Sequence, residues 1–138
     1  MKILMLNPPF FPKFSRDSRS PAISKGGTIY YPIFLAYATG LLEKKGFTVK
    51  LIDAPAEELD FEQVKKITVD FMPDLIVADT TTPSIFNDIK ILDELITETA
   101  AFGILVGKHA SALPDETLKL SKKANAIARG EYDSIICD

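Results

Sequence analysis

The sequence predicts an α/β domain built on a parallel sheet of five strands. Three observations carry this. Short aliphatic runs recur at 3–6, 49–52, 75–78, 104–106 and 126–128. Longer stretches with helical periodicity separate them, an alternation that gives βαβ units. Each run also stops at turn-forming or polar residues, beginning with Asn7-Pro8-Pro9. In an open sheet of this kind ligands bind beyond the carboxyl ends of the strands, where the strand order reverses.

Composition narrows the class of function. The chain has 138 residues, 46% of them apolar and 25% charged, enough for one domain over 1–138 with a real core. A net charge of −3 gives no general attraction to nucleic acid or to an acidic membrane surface. No apolar run is long enough to span a bilayer. The first apolar run is only a strand long and ends at Pro8-Pro9, which does not fit a secretory leader. The single cysteine, Cys137, allows no internal disulfide. The expectation is a cytoplasmic protein with neither nucleic acid nor membrane as partner.

The elements follow in order. After the first strand, residues 10–28 form a long irregular stretch with Pro12, Pro21, Gly26, Gly27 and a basic cluster of Lys13, Arg16, Arg19 and Lys25. Loops of this length tend to be functional or disordered. The first helix is expected from Pro32 to Lys45, with Gly46 as its stop. It carries no charge from Thr28 to Leu42, so it should be covered on more than one side. The second strand ends at Asp53. The second helix opens at Asp60 with Gln63 three residues on, a capping box, and Leu59 and Val64 stand at staple positions. Pro73 ends it.

The third strand ends in Asp79-Thr80-Thr81-Thr82, with Thr82 a candidate cap and Pro83 the first position of the third helix. On that helix Ile85, Ile89, Leu92 and Ile96 make the apolar face, and Asn87, Asp88, Asp93 and Glu94 belong mainly to the wetter sides. The fourth strand ends in Gly107-Lys108-His109, and Pro114, Asp115 and Glu116 open the fourth helix. The last strand leads to Arg129-Gly130-Glu131-Tyr132-Asp133. These elements fit the flavodoxin-like strand order 2-1-3-4-5. A fifth helix, expected on the same face as the first, is barely begun at Asp138. The chain therefore reads as part of a longer protein, with an apolar strip beside Leu35, Leu41 and Leu42 that would drive homodimerisation.

Several chemistries lack their parts. There is no G-x-G-x-x-G after the first strand and no phosphate-binding G-x-x-x-x-G-K-[ST]. No serine nucleophile elbow occurs, and His109 and a distant Cys137 do not make a metal site. Asp79 stands where a receiver domain holds its phospho-acceptor, but the acidic pair such a domain needs is replaced by Asn-Pro-Pro. The strand ends instead offer glycines for close approach and threonine hydroxyls for hydrogen bonding, a cradle for a large polar ligand. Each residue also has a local reading: Asp79 can close a loop, His109 can bond within its turn, and the threonines can build a turn and a cap.

With these residues in view, the sequence resembles the N-terminal cobalamin-binding domain of B12-dependent radical SAM enzymes. That group includes magnesium-protoporphyrin monomethyl ester oxidative cyclases and methyltransferases of unactivated carbons. The resemblance rests on Leu6-Asn7-Pro8-Pro9, on Gly26-Gly27 through Tyr30-Tyr31-Pro32 to Leu35-Ala36-Tyr37, on Gly107-Lys108-His109 with Pro114, and on Arg129-Gly130-Glu131.

The resemblance implies cobalamin lying across the strand ends. Asn7, Pro8 and Pro9 would meet the corrin. Thr80, Thr81, Thr82, Gly107, Lys108 and His109 would line its edge or its nucleotide tail, and Gly130, Glu131 and Tyr132 would close the far side. It implies no catalytic or metal-ligating residue in this chain. S-adenosylmethionine and a 4Fe-4S cluster would belong to a downstream radical SAM domain, since the C-x-x-x-C-x-x-C cluster motif is absent here.

Two departures are visible. The D-x-H-x-x-G motif that supplies a lower cobalt ligand in mutases and methionine synthase is missing, so no histidine of the first loop would hold the cobalt. Val106 stands where relatives often carry a glycine. Two rivals remain open: a regulatory module for a flavin or another nucleotide, and a docking scaffold that binds nothing.

Overall fold

Strand β1, Lys2–Asn7, is central because every residue after Lys2 is apolar or can be satisfied internally, and all five are buried. In the computed structural model, which describes residues 1–136, it pairs in parallel with β4, Thr48–Asp53, on one side and with β5, Leu75–Thr80, on the other. Strand β6, Phe102–Gly107, follows β5, and the short β7, Ala126–Ile127, closes the edge. The order β4-β1-β5-β6-β7 is the expected 2-1-3-4-5 arrangement. Cys137 lies outside the described residues.

Helices cover both faces. Helix α2, Phe61–Phe71, and helix α3, Ile85–Thr99, pack over a core that includes Leu4, Leu6, Ile76, Leu92 and Leu95. Helix α1, Ile33–Lys44, packs on the other face over Ile3, Met5, Val77 and Val106. The short helix α6, Tyr132–Ile135, lies against α1 and contributes Tyr132 to the same core. Helix α2 begins as expected, with both halves of the Asp60–Gln63 capping box formed.

The structure corrects four local expectations. The loop after β1 is not structureless: β2, Phe14–Ser15, and β3, Ala22–Ile23, pair as an antiparallel hairpin. Thr82 does not cap α3. A 3₁₀ turn over Thr82–Ser84 intervenes, Thr81 stands before it, and Ser84 takes the cap position of α3. The Gly107-Lys108-His109 turn runs directly into a short helix α4, Lys108–Ala112, ahead of α5, Pro114–Leu120. Asp88 is not on a wet side but completely buried, for a reason given below.

The apolar surface of α1 also differs in its members. Leu35 and Leu42 are fully buried against the sheet. The exposed apolar residues of this region are Tyr30, Tyr31, Ile33, Phe34, Tyr37 and Leu41. The helical period explains the split, since positions 35, 38 and 42 share the sheet-facing side.

Candidate cofactor-binding site

Two strand ends, a loop arginine and the start of α3 converge on one polar buried cluster. Asn7 at the end of β1 stands opposite Asp53 at the end of β4, and its amide donates to Asp53 Oδ1 at 2.7 Å. Its carbonyl oxygen accepts from Arg16 at 2.8 Å. Arg16 belongs to the loop after β1, yet its side chain turns inward and is almost wholly buried. One guanidinium nitrogen serves Asn7 and the Pro8 carbonyl, and the other meets Asp88 on α3. Asp88 also accepts from Ser84 at 2.6 Å. Burial raises the Asp88 carboxyl, and Arg16, Ser84 and Asn87 act against that rise by favouring its charged form. The crevice between β1 and β5, where strand order reverses, is thus filled by the chain's own arginine.

The open space lies one strand further along. A cavity of about 350 Å³ is lined by Arg16, Asp17, Phe34, Asp79, Thr81, Gly107, Lys108, Ser111, Gly130, Glu131 and Tyr132. Its floor is Asp79 at the end of β5. Gly107 makes this floor possible: it holds φ at 97°, and a Cβ there would sit 2.0 Å from Asp79 Oδ1 and 2.6 Å from the Thr80 carbonyl. Ser111 Oγ accepts the Gly130 amide at 2.9 Å, which ties the α4 wall to the segment before α6. Lys108 closes the loop side by donating to the carbonyls of Arg16 and Ser18.

The cavity is electrostatically unusual. Burial pushes the Asp79 carboxyl up to about 7, and the neighbouring Asp17 and Asp88 add to the rise while Arg16 opposes it. Burial also raises Asp17, against which the backbone amides of Ile33 and Phe34 at the start of α1 act. Burial raises the Tyr132 hydroxyl as well, with Asp79, Asp17 and Asp133 contributing.

The twelve residues expected to form a site divide into three groups. Thr81, Gly107, Lys108, Gly130, Glu131 and Tyr132 meet around the cavity. Asn7, Pro8 and Pro9 are buried beneath the first loop, with Pro8 and Pro9 offering carbonyls to Arg16 and Asn87. Thr80, Thr82 and His109 brace β5 against α4. Thr80 Oγ1 donates to the Val106 carbonyl and accepts the Ala110 amide, and Thr82 Oγ1 meets His109 Nδ1 at 3.1 Å.

Sequence reasoning missed Arg16, Asp17, Phe34 and Ser111 as cavity residues. Arg16 was hidden among other basic loop residues, and nothing local marks it as the one that turns inward. Asp79 carried a signal, a carboxylate at a strand end.

Comparison with known proteins decides the family. Residues 19–137 match the B12 binding domain. The chain belongs to the B12-binding domain family. Two relatives agree with this placement. The B12-binding chain is 29% identical over 133 residues, 95% of its length, to an uncharacterized methyltransferase of Pyrococcus horikoshii. It is 28% identical over 109 residues, 76% of its length, to an anaerobic magnesium-protoporphyrin IX monomethyl ester cyclase of Rubrivivax gelatinosus. It spans only 27% of the first protein and 19% of the second.

The cavity fits one arm of such a cofactor and not the whole. About 350 Å³ is near the small end for ligand pockets and cannot hold a corrin ring. It is half enclosed, with Phe34 and Tyr132 among its walls, a shape suited to a flat heteroaromatic group and its sugar. The ring itself would rest outside, on the strand-end surface. Among the described residues no helix is long and apolar enough to cross a membrane.

Proposed function

We propose that this chain is the cobalamin-holding domain of a larger radical SAM enzyme of the methyltransferase or oxidative cyclase class. The observation that supports it most is the cavity at the ends of β5, β6 and β7, in a chain of the B12-binding family. Its open volume also weighs against a scaffold whose crevice is filled throughout by its own side chains, although Arg16 does fill the neighbouring crevice. When bound, cobalamin supplies a methyl carrier or an electron-transfer centre.

The chain's own residues would do the holding. Gly107 and Gly130 leave room for close approach, and Phe34 and Tyr132 flank the inserted group. Lys108 and Ser111 fix the walls, and Asp17 and Asp79 lie at the base. Thr81 and Glu131 complete the rim. Asn7, Pro8 and Pro9 act from below: the first two seat Arg16 and Pro9 accepts from Asn87, which shapes the loop that the corrin would meet.

The lower face of the cobalt would receive no histidine from this chain. Asn7 ends β1 and Pro8-Pro9 follow it, where a ligand histidine would be needed. His109 is buried, with Nδ1 engaged to Thr82. S-adenosylmethionine and the 4Fe-4S cluster would be held by another domain, whose contact surface would include the exposed aromatic face of α1. The test is a visible-spectrum titration with hydroxocobalamin on wild type and on His109→Ala. The reading expects identical bound spectra without an imidazole signature. A histidine-ligated spectrum lost in His109→Ala would overturn it.

A further inference from the structure

The cavity floor carries two carboxylates that the protein satisfies only in part. Asp79 is only 5% exposed, yet its one hydrogen bond is from the Thr80 amide to Oδ1 at 2.9 Å. Asp79 lines the cavity, and no hydrogen bond from the protein reaches its Oδ2 among the described residues, although that oxygen is not sealed from solvent as Asp17 Oδ2 is. Asp17 lines the same cavity, and its Oδ2 is buried without a partner. A buried polar atom without a partner is costly, and native structures keep such atoms mainly where a ligand or function uses them. No hydrogen bond from the nearby cations reaches either carboxylate. Lys108 Nζ serves two carbonyls, and the terminal nitrogens of Arg16 are held by Asn7, Pro8 and Asp88. The Arg16 Nε is buried and unpartnered, but no hydrogen bond joins it to either carboxylate.

We propose that Asp79 and Asp17 form an acceptor pair for the hydrogen-bond donors at the nucleotide end of a bound corrinoid. This rests on the cobalamin-holding reading above. Two groups could supply the donors: an amine on the lower base or the hydroxyl groups of the ribose. Cobalamin's own base, dimethylbenzimidazole, has no N–H once glycosylated, whereas adenine in that position carries an exocyclic amine. The apolar wall from Phe34 would accept either ring, so the floor decides between them.

The experiment compares three corrinoids by absorbance titration: cobinamide, which lacks the nucleotide; cobalamin; and a cobamide with adenine as lower base. Each is titrated against wild type and against Asp79→Asn. In that variant Thr80 still finds an acceptor, but the atom facing the cavity becomes an amide donor. Cobinamide affinity should be the same in both proteins, which also reports that the variant is folded. A donor on the base predicts that wild type prefers the adenine cobamide by about tenfold, a typical value for one hydrogen bond to a charged group, and that Asp79→Asn abolishes the preference. A donor on the ribose predicts that both cobamides weaken alike in the variant. If both cobamides keep their full advantage over cobinamide in Asp79→Asn, or have none in wild type, the acceptor pair is overturned. Should none of the three bind wild type, the cobalamin-holding reading itself fails.

Discussion

Arg16 and Asp88 meet at 2.5 Å with both side chains completely removed from solvent, although they lie 72 residues apart in the chain. The pair pins the loop after β1 to the first turn of α3. Through Asn7 and Asp53 it continues to the end of β4. A buried pair of this kind stabilises little beyond what well-packed apolar residues would, but breaking it leaves one charge without a partner. Asp88→Ala is therefore expected to cost about 3–5 kcal/mol in urea unfolding. The double variant Arg16→Met with Asp88→Leu should recover much of that loss. A double variant no better than the worse single variant would contradict this account of the cluster.

Gly107 should tolerate no side chain. At a φ of 97°, with Asp79 Oδ1 and Thr80 in the way, alanine faces both backbone strain and a steric clash. Gly107→Ala is expected to lower stability by about 3 kcal/mol or more. Gly130→Ala is a useful comparison. Its φ is 66° but nothing lies within 4 Å of the added carbon, so the expected cost is only about 1 kcal/mol. Thermal denaturation of the two variants side by side checks the difference.

The Asp79 carboxyl gives stability a pH dependence with a definite sign. Its folded value, about 7, lies above the ordinary 3.8, so the folded chain binds the extra proton between those values. The stability tied to this group is then fully present below pH 4 and lost as pH rises toward 7 and beyond. Asp79→Asn removes the penalty. It should melt at a higher temperature than wild type at pH 8, by up to ~4 kcal/mol in stability. The gap should shrink toward pH 5. A variant less stable than wild type at pH 8 would contradict the assignment.

The capping box provides a modest, local prediction. Asp60→Ala removes the acceptor for the Gln63 amide at 2.8 Å and should cost ~1 kcal/mol in chemical denaturation. The cavity should be unaffected, because Asp60 is not among its lining residues.

What could be read from the sequence follows the range of the interactions involved. Strand order, the Asp60 cap, and Pro114 at the start of α5 depend on local signals and on general topology. The resemblance rested on short motifs, Asn7-Pro8-Pro9, Gly107 and Gly130, of which the two glycines hold positive φ values that favour their residue type. The Arg16–Asp88 pair was not visible. Helical periodicity places a lone carboxylate such as Asp88 on the wet side unless something buried neutralises it, and its partner sits in a loop with three other basic residues. The change of geometry from Thr82 to Ser84 escaped for a similar reason, since a 3₁₀ turn and a helix start carry the same Thr-Pro signal. The division of α1 into buried Leu35 and Leu42 and exposed Tyr37 and Leu41 lay in the helical period, but a stretch without charge up to Leu42 gave no contrast with which to read it.

The central claim is that the cavity between α1, α4 and α6 receives an arm of cobalamin. The measurement that tests it most directly is gel filtration of the chain with excess hydroxocobalamin, for wild type and for Ser111→Phe. Ser111 lines the cavity, and a phenyl group there would project into the space between its walls. Wild type is predicted to elute with one corrin per chain and Ser111→Phe with little or none. Failure of wild type to retain corrin, or equal retention by a folded Ser111→Phe, would contradict the account.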